Sequence, residues 1–99
     1  MLNCSDSASI FKALSDETRL KIVDMLSCDE LCACNILEAF AITQPTLSYH
    51  MKILTESGLV LARKEGPWTR YRLNQDLIHS VKAFLEQITT DTPDCICKE

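Results

Sequence analysis

Cys28, Cys32 and Cys34 place three thiols within seven residues, interleaved with Asp29 and Glu30. Thiolates are soft donors; they suit Zn, Cd, Pb, Cu(I) or trivalent arsenic and antimony better than Mg or Ca. Three sulfurs with no neighbouring histidine favour a three-coordinate thiophile over a four-ligand structural zinc site. A free cysteine is also a small hydrophobe that packs into cores, and Cys34 alone reads that way too. Cys95 and Cys97 form a second C-x-C pair near the C-terminus, where they could capture a ligand, contribute a donor or be incidental. Cys4 stands alone. No His/Asp pair lies beside the cysteines in sequence to activate a nucleophile, so an enzyme is not expected.

A second set of residues could do a different chemistry. Gln44, Thr46, Ser48 and Tyr49 lie off an apolar stripe of Leu47, Met51 and Leu54, near the N-terminus of a helix. Gln can pair bidentately with adenine, and Thr can offer a methyl to thymine or a hydroxyl to phosphate. Lys52, Arg63, Lys64, Arg70 and Arg72 follow; such cations position a domain on phosphates without reading sequence. Taken alone, the helix is equally an amphipathic helix with a solvated polar face. The basic hairpin after it tips the reading toward double-stranded DNA. His50 borders the stripe and reads as a packed, hydrogen-bonded histidine. Trp68 reads as an exposed hairpin residue or one folded back on the domain.

The elements that must hold these residues follow from periodicity and caps. A first helix spans 7–14, with Ile10, Phe11 and Leu14 inward. Ser15 or Asp16 caps a second, which turns Leu20, Val23 and Ile22 inward and ends near Ser27. A third begins at Glu30 or Leu31 and uses Leu31, Ile36, Leu37 and Phe40. On an ideal helix Cys32 and Cys34 would stand about 200° apart. Both could grip one ion only if the start of that helix unwound, which would couple ligand binding to the helix that follows. Thr43 caps the fourth helix, Pro45 fits its first turn, and Gly58 stops it. Strands at 60–64 and 70–73 flank a tip, EGPWT, with turn residues. A last helix at 75–88 carries Leu77, Val81, Phe84, Leu85 and Ile88 inward. The fold class is mainly α with a β-hairpin, a winged helix-turn-helix, with a DNA-binding and dimerisation domain over 1–88 and a flexible cysteine-containing tail over 89–99.

Charge and composition fit this reading. The 99 residues make one domain with a thin core, so burial against a second copy would help. The net charge is −4, yet residues 43–72 carry five basic against two acidic side chains, a block of +3, while every other segment is negative. No signal peptide and no membrane-length apolar run is visible, so a cytoplasmic protein with reduced thiols is expected, rather than a disulfide scaffold.

With ELCACNIL (30–37), QPTLSYHMKIL (44–54), the basic RKEGPWTRYRLN (63–74) and FKALSDETRLKIVDML (11–26), the sequence resembles the ArsR/SmtB family over about residues 8–88, and more narrowly its arsenical-resistance repressors. The resemblance implies a homodimer built from the first and last helices. It implies operator binding without ligand, and release when As(III) or Sb(III) binds Cys32 and Cys34. Some arsenic repressors have a third cysteine where this chain has Leu37, so the third sulfur must come from elsewhere, with Cys28 the first candidate. The family's site on the last helix would call on Asp76 and His79, but Thr89 and Thr90 stand where a second histidine is sought, and no zinc-type site is expected there. A cadmium or lead reader would bring an N-terminal cysteine pair, and Cys4 is single. A redox-responsive or Cd/Pb/Zn-responsive repressor of the same fold is the alternative.

Overall fold

The computed structural model describes residues 2–89. Cys95 and Cys97, and with them the tail expected over 89–99 apart from Thr89, lie outside the described residues. Five helices and three strands follow in the order α1 (Cys4–Leu14), α2 (Glu17–Leu26), β1 (Leu31–Cys32), α3 (Ala33–Glu38), α4 (Gln44–Glu56), β2 (Val60–Glu65), β3 (Trp68–Leu73) and α5 (Gln75–Thr89). No helix among the described residues is long and apolar enough to cross a membrane.

Side-chain caps set most helix starts. Asn3 accepts from the Asp6 amide at 2.7 Å and starts α1 three residues earlier than its apolar stripe suggested. Asp16 accepts from the Arg19 amide at 3.1 Å and caps α2. Thr43 accepts from the Thr46 amide at 3.3 Å and caps α4, with Pro45 in the first turn. Each satisfies an amide that the helix itself leaves unpaired. Gly58 takes a left-handed φ of +86° after α4, a conformation costly for residues with a Cβ. Asn74 ties the hairpin's exit to that turn: its side chain donates to the Gly58 carbonyl at 3.0 Å and accepts from the Leu77 amide at 3.2 Å.

The strands form one antiparallel sheet in the order β1-β3-β2. The β2–β3 hairpin closes through Gly66 and Pro67, and Gly66 has a φ of +63°, as the first position of a tight two-residue hairpin loop requires. β1 is a departure from expectation. The segment that read as the start of the third helix is instead extended, with Leu31 opposite Tyr71 and Cys32 opposite Arg70. Pairing with β3 satisfies backbone groups that a helix would otherwise have used, and α3 begins only at Ala33.

The core joins α1, α2, α3, α4 and the sheet through Ile10, Ile22, Leu26, Ile36, Leu47, Met51, Leu54, Leu59, Val60 and Leu73. Leu47, Met51 and Leu54 are the buried stripe read from sequence. In α2 the face is turned: Ile22 and Leu26 are buried, while Leu20 is exposed, because α2 packs against α1, α4 and β3 together. Phe11 likewise lies outward, while Ala13 takes a core place. None of the expected inward residues of α5 is buried; Leu85 and Ile88 are exposed and Leu77, Val81 and Phe84 half-buried. Among the described residues the apolar face of α5 is therefore only partly covered: Leu77, Ile78 and Val81 pack against the core and Phe84 meets Phe11, ring centres 6.2 Å apart, while Leu85 and Ile88 stay exposed.

Candidate nucleic-acid interface and thiol site

α3 and α4, joined by residues 39–43, form a helix-turn-helix, and the β2–β3 hairpin follows as a wing. Gln44, Thr46, Ser48, Tyr49 and Lys52 are all exposed on α4, outside its buried stripe of Leu47, Met51 and Leu54. The first turn that carries Gln44 and Thr46 is fixed by Thr43, whose hydroxyl also donates to the Thr46 hydroxyl at 3.0 Å.

α4 is held at its proper angle by a polar cluster that the sequence reading only partly saw. His50 is packed as expected: its Nδ1 lies 3.1 Å from an Arg19 guanidinium nitrogen. Arginine can only donate, so this ring nitrogen accepts. The same guanidinium donates through Nε to the Ala13 carbonyl at 2.6 Å, so one side chain of α2 fastens α1 to α4. The Asp16 carboxylate lies 4.0 Å from His50. Its hydrogen bond from the Arg19 amide, with the nearby Arg19 and His50, holds its carboxyl below the usual carboxylate range. The sequence marks Asp16 as a candidate cap and gives Arg19 no role. Their spacing to Ala13 and His50 exists only after three helices pack.

On the wing, Arg63 and Arg70 stand directly opposite each other across the strands, and like charges so placed repel. Carboxylates offset this. Arg63 donates to Glu65 at 2.5 Å and to Glu30 at 2.7 Å, and Arg70 lies 3.5 Å from Glu65. Arg63 in turn pulls the Glu65 carboxyl below its ordinary range. Of the five expected phosphate-binding cations, Arg63 and Arg70 are thus held in ion pairs, whereas Lys52, Lys64 and Arg72 have none among the described residues.

The thiol site is built where β1 meets α3. Cys32 is the N-cap of α3 with extended backbone, and its sulfur accepts from the Cys34 amide at 3.2 Å. The Asn35 side chain closes a capping box by accepting from the Cys32 amide at 3.2 Å. Because Cys32 precedes the helix, the two side chains turn to the same side; their Cα atoms are 5.2 Å apart and their sulfurs are joined. This corrects the helical expectation of opposed cysteines. No unwinding is needed to bring Cys32 and Cys34 together.

The expected third sulfur is not part of this group. Cys28 is exposed on the turn after α2 and lines a separate hollow with Asp29, Glu30, Arg72 and Gln75. Among the described residues no three His, Cys, Asp or Glu side chains gather as one ligand set, because the extended β1 and the turn before it carry Cys28 away from the α3 cap. Asp76 and His79 of α5 form no such set either. When reduced, the Cys32/Cys34 pair offers two adjacent soft sulfurs, donors of the kind a thiophile prefers. Glu65, Trp68 and Arg70 of the wing share a hollow with both cysteines.

These features recur in proteins of known class. Residues 16–61 match the model of bacterial regulatory proteins of the arsR family. The chain is 44% identical over 97 residues to an arsenical resistance operon repressor of Staphylococcus xylosus, covering 98% of this chain and 93% of that protein. This chain belongs to the arsR family. A cadmium resistance transcriptional regulatory protein CadC homolog of Staphylococcus aureus is 40% identical over 88 residues, covering 86% of this chain and 73% of that one. Among solved structures, the homodimeric winged helix-turn-helix DNA-binding domain of a possible ArsR-family regulator from Mycobacterium bovis superposes with a TM-score of 0.71 at 30% identity, covering 85% and 78% of the two chains. The arsR-family chain is therefore a winged helix-turn-helix transcription regulator, not an enzyme.

Proposed function

We propose that this arsR-family chain is a cytoplasmic, homodimeric repressor of an arsenical-resistance operon, released from its operator when As(III) or Sb(III) is held by Cys32 and Cys34. The observation that carries the reading is the position of this cysteine pair, at the cap of the helix-turn-helix and on a strand paired with the wing. The near-full-length likeness to an arsenical resistance operon repressor supports it.

In this reading Gln44, Thr46, Ser48 and Tyr49 meet base edges in the major groove and Lys52 meets phosphate, as recognition helices do. Lys64 and Arg72 offer free charge to the backbone, while Arg63 and Arg70 reach phosphate by exchanging their carboxylate partners. The exposed apolar faces of α1 and α5 pack against a second copy. The bound metalloid would supply a rigid bridge between two thiolates. Cys32 is fixed to β3 by backbone pairing, and Cys34 lies in the first turn of α3. A change in the angle between them is therefore passed to the wing and to the helix-turn-helix at once. Cys28 joins as third sulfur only if the turn at residues 27–30 moves.

The test is operator affinity by fluorescence anisotropy, under reducing conditions, with and without arsenite. Native protein should leave DNA on addition of arsenite, and a Cys32→Ser/Cys34→Ser variant should stay bound. Release of both alike would move the site elsewhere. A redox-responsive repressor is the second reading, favoured by the joining of the two sulfurs. Release by hydrogen peroxide, with no response of the reduced protein to arsenite, would select it.

A further inference from the structure

The wing carries less free positive charge than its arginines suggest. Arg63 gives both terminal nitrogens to carboxylates, Nη1 to Glu65 at 2.5 Å and Nη2 to Glu30 at 2.7 Å. Arg70, directly opposite Arg63 across the strands, turns its Nε toward the same Glu65 at 3.5 Å. Two arginines and two glutamates thus make a group with no net charge on a hairpin whose sequence is basic. Glu65 ends β2, but Glu30 comes from the turn before β1, 33 residues ahead of Arg63. Because β3 lies between β1 and β2 in the sheet, the Glu30–Arg63 pair spans all three strands.

This group is built to be exchanged. The Arg63 and Glu65 side chains are each more than half exposed, and exposed ion pairs are worth little in water. A phosphate offers a guanidinium the same paired, charged oxygens that a carboxylate does. Even so, each such pair surrendered before phosphate is met costs roughly 1.5- to fivefold in affinity. Arg70 meets Glu65 through Nε alone, so Arg63 is the cation held most closely.

We infer that Glu30 and Glu65 stand in for DNA phosphate as an autoinhibitory clamp, withholding Arg63 from the backbone and lowering the affinity of the wing for any duplex. The inference rests on the reading that the wing meets the DNA backbone. Its effect falls on the sequence-independent part of binding, because phosphate contacts carry no base information. The clamp therefore restrains binding to random DNA, and the base contacts of α4 carry a larger share of the total.

The experiment measures binding of the reduced full chain to a random-sequence duplex by fluorescence anisotropy over a series of salt concentrations. Glu30→Gln/Glu65→Gln removes the negative charges and keeps the side-chain shapes. This variant should bind about threefold or more tightly than native. Its slope of log affinity against log salt should steepen by about one for each wing that gains a phosphate contact. The two single variants should each show part of the gain. Asp24→Asn/Glu38→Gln makes the same change of net charge at exposed carboxylates with no ion pair among the described residues, and should gain clearly less. In an Arg63→Gln background the Glu30 and Glu65 substitutions should likewise lose most of their effect. Weaker or unchanged binding by the double and single variants overturns the inference, since the carboxylates would then orient the arginine for phosphate. An equal gain in the Asp24/Glu38 control, or a full gain without Arg63, overturns it as well, since overall charge would then account for the effect. In each of these cases the native protein still binds DNA in a salt-dependent way and the reading of the wing stands. No salt-dependent binding by native protein or any variant overturns both.

Discussion

Thr43→Ala separates the local stiffness of α4 from the DNA contacts proposed for it. Thr43 accepts from the Thr46 amide at 3.3 Å and donates to the Thr46 hydroxyl at 3.0 Å. The alanine variant loses the cap and frees the Thr46 side chain to rotate. Loss of a threonine cap costs about 1 kcal/mol, which lowers Tm by about 4–8 °C in a domain of this size. If the first turn must be ordered before Gln44 and Thr46 meet DNA, the same 1 kcal/mol weakens operator binding by about fivefold. Thr43→Ser keeps the capping oxygen and should restore both quantities to near native. Thermal unfolding at one fixed protein concentration, since dimerisation shifts apparent stability, and anisotropy at one fixed salt concentration measure the two effects. A Thr43→Ala variant that loses Tm but binds DNA as tightly as native would refute the reasoning. So would one in which serine fails to rescue.

Three other outcomes follow from the packing and the carboxylates. Leu54→Ala empties a fully buried position beneath α4 and should cost about 2–5 kcal/mol, read as a fall in urea midpoint. The Ser7 hydroxyl is buried without a hydrogen-bond partner among the described residues; Ser7→Ala should leave stability unchanged or raise it by up to about 1 kcal/mol, and a clear loss would reveal a hidden partner. Asp16, Glu17 and Glu65 all have carboxyls held below their ordinary values, by the Arg19 amide, Lys21 and Arg63 respectively. Their contribution is complete above the unfolded values of 3.8 and 4.5 and is lost as pH falls through the lower folded values. Tm should therefore fall as pH drops below about 4.5, the unfolded value of the glutamates, and the fall should be smaller in Asp16→Asn, which keeps a capping oxygen; an equal fall would assign the acid loss elsewhere.

Caps, turns and the α4 stripe are local chemistry, and the residues Asp16, Thr43, Pro45 and Gly58 announced them. A four-residue window contains both the cap and the amide it satisfies, so no distant contact was needed. The same holds for the exposed polar face of α4. It fails at Leu31 and Cys32, whose periodicity continues that of the third helix. Their extended conformation is stabilised by a strand some forty residues later in the chain, and no local pattern carries that pairing. It fails again in α2, where the buried face is chosen by three neighbours at once.

By itself, the sequence determined that helices and a basic hairpin would form, that α4 would keep a polar face exposed, and that soft donors would lie just ahead of it. Tertiary structure alone decided how those donors are arranged. Pairing of β1 with β3 holds Cys32 off the helix, so that its sulfur meets that of Cys34 instead of facing away, and it leaves Cys28 in another hollow. Packing of three helices also decided that Arg19 clasps His50 and the Ala13 carbonyl. The apolar face of α5 lies at the boundary between the two. Its pattern is written in the chain, but packing of the described residues covers only Leu77, Ile78, Val81 and Phe84 in part and leaves Leu85 and Ile88 exposed.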